Sequence, residues 1–292
     1  IGMYFTLAAV IKQKLGAKYS QKMLGFAVIG AILVTMVVAL LFESNLSQSV
    51  LDDVSSELNH RTSEIEGFTQ RQAAQYADNL KFLHATPPIS GIPRAIENDG
   101  VDPKENTSFA LWKKRLETIF IAFIENNEEV DQLRIISVED NGQEVVRVER
   151  DGLKIAAVHS VDLQKKSERD YYQESAKLSR NELYMSGISL NKEYGKVEFP
   201  YKPVIRLSLP IFRGSGERFG FIIMNVNTAI ALVGMKQFAM SPQELYLTDE
   251  EGYFIYHPEK NFSYSKDLSP EETWHTEFSS PLYEGARLLK NS

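Results

Sequence analysis

The chain has 292 residues, a net charge of −7 and no cysteine. That length allows one or two domains with proper cores, and the lack of cysteine excludes disulfides, thiolate catalysis and cysteine-based metal sites. Residues 1–42 hold four lysines and no acid, which leaves 28 basic against 39 acidic side chains downstream and no basic face for a nucleic acid.

Residues 23–42, MLGFAVIGAILVTMVVALLF, carry no charge. At ~1.5 Å per residue such a stretch covers a ~30 Å hydrocarbon layer. Lys12, Lys14, Lys18 and Lys22 precede it, while Glu43, Asp52 and Asp53 follow. The positive-inside rule then predicts a cytoplasmic segment at 1–22, a transmembrane helix at 23–42 and residues 43–292 outside. A cleaved signal peptide would want a shorter apolar run and a small-x-small site, which LFESNLSQ lacks. An exported domain without disulfides points to the bacterial inner membrane, with 43–292 in the periplasm.

Residues 43–84 contain no proline, and apolar side chains recur at Leu51, Val54, Leu58, Ile65, Phe68, Tyr76, Leu80 and Leu83. Those gaps predict a stalk helix. Its narrow stripe, broken by Arg61 and Gln72, suits a seam shared by two helices, so Leu51, Val54, Leu58 and Ile65 predict a parallel homodimer. Pro87, Pro88, Gly91 and Pro93 predict a loop. A second helix follows, capped by Ser108, with Leu111, Leu116, Ile119, Phe120 and Phe123 on one face.

The period then changes to two. Runs at 133–138 and 144–150 flank Glu139-Asp140-Asn141-Gly142, and Asn-Gly is a strong hairpin signal. Asp140 and Asn141 lack the acid ladder of a calcium loop. Ser167 stands three before Asp170 and predicts the cap of a short helix through Leu178. Three strands are predicted at 183–190, 204–212 and 219–227. The last two are joined at 213–218 by a turn that lacks the third glycine of a phosphate-binding loop. A helix at 229–238 and a further strand, turn and strand at 245–256 repeat the pattern. Helices gathered beside antiparallel strands define an α+β fold.

Together these runs resemble the double-Cache, PAS-like, extracytoplasmic sensor domains of bacterial receptors. The pieces that carry the likeness are NLKFLHATPPISGIPRA, QLRIISVEDNGQEVVRVER, SERDYYQES, YMSGISLNKEYGKVEFPYKPVIRLSLPIF, GFIIMNVN and YLTDEEGYFIYHP. The resemblance is greatest to the branch found on histidine kinases and diguanylate cyclases. It implies a membrane-distal Cache domain at 85–228, a partial membrane-proximal one at 229–292, and a small metabolite as ligand, a carboxylate or amino acid. The stalk would pass the signal to a cytoplasmic output, a histidine kinase in the first reading and a diguanylate cyclase or chemoreceptor in the alternative. Amino-acid-binding members carry a motif similar to Arg-x-Trp-Tyr-x-x-Ala; here Arg169-Asp170-Tyr171-Tyr172-Gln173-Glu174-Ser175 stands in its place, with Tyr for Trp and Ser for Ala.

Six residues are therefore expected at a ligand site. Arg169 and Tyr172, three apart, would share a helix face, with Tyr171 on an adjacent one. Alternation along 204–212 sets Val204, Arg206 and Ser208 on one side, and the family pattern also has an arginine at the position of Arg206. Ser186 is a candidate across the sheet. A guanidinium grips a carboxylate with two hydrogen bonds, and a tyrosine hydroxyl can add another. An enzyme reading is disfavoured: His60, His84, His159, His257 and His275 are scattered and none lies in a zinc-protease frame, so no catalytic residue, metal or cofactor is assigned. A dimeric membrane-anchored scaffold without ligand is the remaining alternative.

Overall fold

The computed structural model describes residues 17–193, 195–236 and 244–278. The chain divides into two compact units, residues 1–64 and 65–292. Helix α1 is Ala17–His84. Among the described residues no helix is long and apolar enough to cross a membrane. The expected span at 23–42 falls partly outside them, since the side chains of 23–29 and 41–42 are not described. In the first unit Leu51, Val54 and Leu58, three of the four seam residues, are exposed by 64%, 46% and 43%. Ile65 opens the second unit and is half-buried.

In the second unit Tyr76, Leu80 and Leu83 of α1 are buried. Prolines that signal a loop instead begin a helix, α2, Pro87–Glu97. Pro87 and Pro88 occupy its first turn, where a missing N–H costs no helical hydrogen bond, and Ile89, Ile92 and Ala95 are buried on one side. Gly91 is required there because a Cβ would lie 2.4 Å from the Trp112 ring. Strands β1 (Val101–Asp102) and β2 (Thr107–Ser108) lead into α3, Phe109–Glu125. Ser108 caps α3 as expected, its hydroxyl accepting the Leu111 N–H at 3.2 Å. The buried face is Trp112, Leu116, Phe120 and Ile124, whereas Leu111 is 44% exposed. The true stripe runs i, i+4, i+8, i+12, one residue round from Leu111.

Asp102 ties this corner together. It is fully buried and accepts from Arg94 Nε at 2.9 Å and Nη2 at 2.7 Å, Trp112 Nε1 at 3.1 Å and the Lys104 N–H at 3.0 Å. The Arg94 hydrogen bond, ahead of the opposing effect of burial, lowers its pKa to about 2. A carboxyl whose folded pKa lies below the unfolded value stabilises above the unfolded value near 4, and that contribution disappears as pH falls through about 2. Stability should thus fall between pH 4 and pH 2 by on the order of 2 kcal/mol from this group. Denaturant titrations at both pH values should show a smaller loss in Asp102→Asn.

The main sheet is antiparallel. It contains β3 (Val130–Ser137), β4 (Glu144–Asp151), β5 (Lys154–Ala157), β6 (Tyr184–Met185), β7 (Ser189–Leu190), β10 (Pro203–Phe212) and β11 (Arg218–Asn227). Its order is β5-β4-β3-β11-β10-β6, with β7 also on β10. The β3–β4 hairpin forms as expected, with Asp140, Asn141 and Gly142 all at positive φ. The run at 183–190 is not one strand but two short pieces, broken at residues 186–188 around Gly187. A separate small hairpin, β8 (Lys192–Glu193) with β9 (Lys196–Val197), follows.

One sheet face carries Leu133, Ile135, Val146, Val148, Leu207, Leu209, Ile222 and Met224 and packs on α1, α2 and α3 as the main core. Each fully buried Leu, Ile or Phe there contributes about 1.5–3 kcal/mol relative to exposure. The opposite face holds a small cluster of Ile136, Phe221 and Ile223 with Tyr171, next to a row of charged side chains.

After β11 come α5, Ala229–Met235, shorter than the expected 229–238, and a second sheet of β12 (Leu247–Thr248) and β13 (Phe254–Tyr256). Positions 237 and 238 lie outside the described residues. Helices α6 (Ser265–Leu268) and α7 (Trp274–Glu277) close this part. His257, one residue past the end of β13, is buried among Tyr246, Phe254 and Phe262. Its Nδ1 accepts the Glu259 N–H at 3.0 Å, and its Nε2 lies 2.8 Å from the Glu277 carboxylate.

Candidate functional site

The charged face of the sheet is built from register. Arg134 pairs with Arg147 across β3–β4 and with Ile223 across β3–β11, while Asn225 stands opposite both Gln132 and Arg206. Arg134 is 2% exposed; Nη1 donates to Glu144 at 3.1 Å and Nη2 to Asn225 at 2.9 Å. Glu144, also buried, takes Arg147 at 3.5 Å and the Gln164 N–H at 2.9 Å. Arg147 grips Glu149 through Nε at 2.8 Å and Nη2 at 2.6 Å. Buried charges persist where partners of this kind replace water.

Helix α4, Asp170–Ser175, lies over this face. Its N-cap is Arg169, not Ser167, and it ends before Leu178. Because Arg169 has extended backbone (φ −84°, ψ 137°), it stands outside the helix and the three-residue face rule does not link it to Tyr172. Tyr171 turns inward instead. Its ring is held between the Arg134 and Arg206 guanidiniums, 5.4 and 5.3 Å from the centroid. Tyr172 packs edge-on against Phe221 at 5.4 Å, and burial raises its pKa.

A cavity of about 550 Å³ opens beside α4. Arg169, Tyr171, Ser186 and Arg206 line it; Tyr172 and Ser208 do not. The Arg169 guanidinium makes no hydrogen bond or ion pair with any described residue, so it does not pair with Glu168 or Asp170. Arg206 is 5% exposed and donates to Ser189 Oγ at 2.9 Å and Asn191 Oδ1 at 3.3 Å. Ser186 Oγ accepts the Arg206 N–H at 2.9 Å and donates to the Gly187 carbonyl at 2.8 Å. Ser208 is buried on the Arg206 side of β10, and its hydroxyl has no hydrogen-bond partner among the described residues.

The far wall comes from the second sheet and α6, through Asp249, Lys266 and Asp267. Asp267 accepts the Leu190 N–H at 2.8 Å and Lys192 Nζ at 2.7 Å, which joins α6 to β7 and β8. Lys266 reaches Glu251 at 2.9 Å and Asp249 at 3.6 Å. Sequence reasoning missed Arg134 and the Glu144 network because the β3–β4 hairpin reads as apolar on one side and solvated on the other. The alternation of Gln132, Arg134 and Ile136 was the available signal. Nothing local marks Asp267 as a neighbour of Leu190.

A two-layer α+β unit whose sheet presents a lined cavity beneath a short helix is the architecture of a Cache-type sensor. The chain matches the family model described as the bacterial histidine kinase sensor domain over residues 106–282 and belongs to that family. The match spans both the main and the second sheet. Many solved structures are similar to this chain, two of them with TM-scores near 0.6. One is a domain described as part of a sensory box/GGDEF family protein from Vibrio parahaemolyticus, at 17% identity and a TM-score of 0.60, covering 81% of this chain and 82% of that one. The other is described as the extracellular domain of the histidine kinase vpHK1S-Z8, at 18% identity and a TM-score of 0.59, covering 81% of each. At these identities they establish the fold alone. No curated protein matches the sequence.

Proposed function

We propose that this chain is the extracytoplasmic sensing portion of a bacterial transmembrane receptor and that it binds a small carboxylate or amino-acid-like solute beside α4. The reading rests on one observation: an arginine whose guanidinium has no partner among the described residues, Arg169, shares a cavity with Tyr171 and the buried Arg206. In a site partly withdrawn from water, two guanidiniums favour an anionic group, and the acids of the outer wall, Asp170, Asp249 and Asp267, would receive an ammonium. Residues 23–42 anchor the chain in the inner membrane with 43–292 in the periplasm. The stalk of 43–84 pairs with that of a second copy through Leu51, Val54, Leu58 and Ile65. Residues 85–228 and 229–292 act as distal and partial proximal Cache domains, and the output is a cytoplasmic histidine kinase. A diguanylate cyclase is the second reading, favoured by the GGDEF-family neighbour.

The test is a thermal-shift screen of small carboxylates and amino acids on the full chain, repeated with Arg169→Ala. The variant should weaken any hit ten- to a hundred-fold, from loss of roughly 1.5–3 kcal/mol of charge-assisted binding, with its unliganded melting temperature unchanged. A hit that stabilises the variant as much as the parent would place the site elsewhere.

A further inference from the structure

A second, larger space lies on the other side of residues 184–188. It measures about 670 Å³ and is bounded by α1 at Phe68, Ala73 and Tyr76, by α5, and by the β12–β13 hairpin. Tyr76, Ile205, Leu232 and Met235 form its buried floor, with relative exposures of 4%, 9%, 4% and 8%. Its mouth differs in character. Asp249, Glu250 and Glu251 stand there with one cation, Lys266, which is engaged by Glu251 and Asp249. Glu250 is exposed and makes no hydrogen bond or ion pair with any described residue.

Apolar walls that face no atoms of the described residues forgo the contacts a packed interior would give, and small-molecule sites are typically spaces of this size with apolar walls and a few polar groups. We propose that this cleft is a second ligand site, for a small amphiphilic amine whose apolar body lies on Tyr76, Leu232 and Met235 and whose ammonium meets the acidic mouth. Three carboxylates against one ammonium leave the mouth negative, which selects a cation and repels the anion of the same shape. The site does not depend on Arg169, which lies outside it.

The experiment uses the full chain and two probes of matched apolar body, 2-phenylethylamine and 3-phenylpropionate, read by thermal shift. At about ten times its dissociation constant the amine should raise the melting temperature by roughly 3–5 °C, and the acid should not. Ala231→Phe, which fills the cleft, should abolish the amine effect and leave the unliganded melting temperature equal or higher. Glu250→Lys should weaken the amine roughly tenfold, whereas Arg169→Ala should leave it unchanged. The proposal is overturned by no amine shift, by equal shifts from both probes, or by an amine effect that survives Ala231→Phe. It is equally overturned if Ala231→Phe lowers the melting temperature by several degrees, since the space is then already filled by the chain.

Discussion

Replacing Gly220 with alanine should lower the melting temperature by roughly 6–12 °C, the equivalent of about 3 kcal/mol in a unit of this size. Gly220 lies on β11 opposite Ser137 of β3, at the middle of the sheet. A Cβ there would come within 2.0 Å of the Ile136 carbonyl oxygen and 3.0 Å of both the Ile136 carbonyl carbon and Ser137 Cα. All three are backbone atoms of the paired strand. No rotamer change relieves the clash, so β3 and β11 must separate and lose ladder hydrogen bonds. Gly214, in the turn that joins β10 to β11, has open space around its Cβ position. Gly214→Ala is the control and should stay within about 0.5 kcal/mol of the parent. Equal melting temperatures for the two variants would show that the sheet tolerates a shift at its centre.

Glu144→Ala should destabilise by about 3–5 kcal/mol in urea unfolding, the usual cost of removing one partner from a buried ion pair. The carboxylate is fully buried and faces Arg134 on one side and Arg147 on the other. Its loss takes a counter-charge from two guanidiniums that are 2% and 5% exposed, and an acceptor from the Gln164 N–H. Glu144→Gln keeps one accepting oxygen but removes the charge and turns an N–H2 donor toward Arg134 or toward Arg147 and the Gln164 N–H, so it should recover only part of the loss. If both variants cost under 1 kcal/mol, water reaches the network and the face is not a sealed one.

The elements with a local cause were legible in the sequence. The Asn141-Gly142 turn, the Ser108 cap and the alternation of β10 and β11 each follow from nearest neighbours, and the structure has all of them. The misreadings share a different origin. Pro87 and Pro88 carry the same local signal whether they end one helix or begin the next, and only the packing of Ile89 and Ile92 decides. Ser167 has the spacing of a cap, but its N–H is taken by the Asn141 carbonyl at 3.2 Å, which holds it against the hairpin. The helix therefore starts at Asp170, and the aromatic that enters the cavity is Tyr171 rather than Tyr172. Four of six candidate ligand residues share the cavity: Arg206 is placed by strand pairing, which alternation does foretell, and Ser186, in the break between β6 and β7, is held by hydrogen bonds to the Arg206 backbone. The walls at Lys192, Lys266 and Asp267 depend on contacts far apart in sequence, for which no periodicity exists.

Gly142 gives this last dependence a practical meaning. Its carbonyl accepts the Lys166 N–H at 3.0 Å, and a Cβ on it would lie 2.8 Å from the Ser167 nitrogen and 2.9 Å from the Tyr172 ring. The hairpin tip thus acts as a jig for the start of α4 while contributing no atom to the cavity beside it. Anyone reshaping the sensor for a new solute has freedom at 169, whose guanidinium lines the cavity and bonds to no described residue. At Gly142 that freedom is absent, because any side chain there would press on Ser167 and the Tyr172 ring.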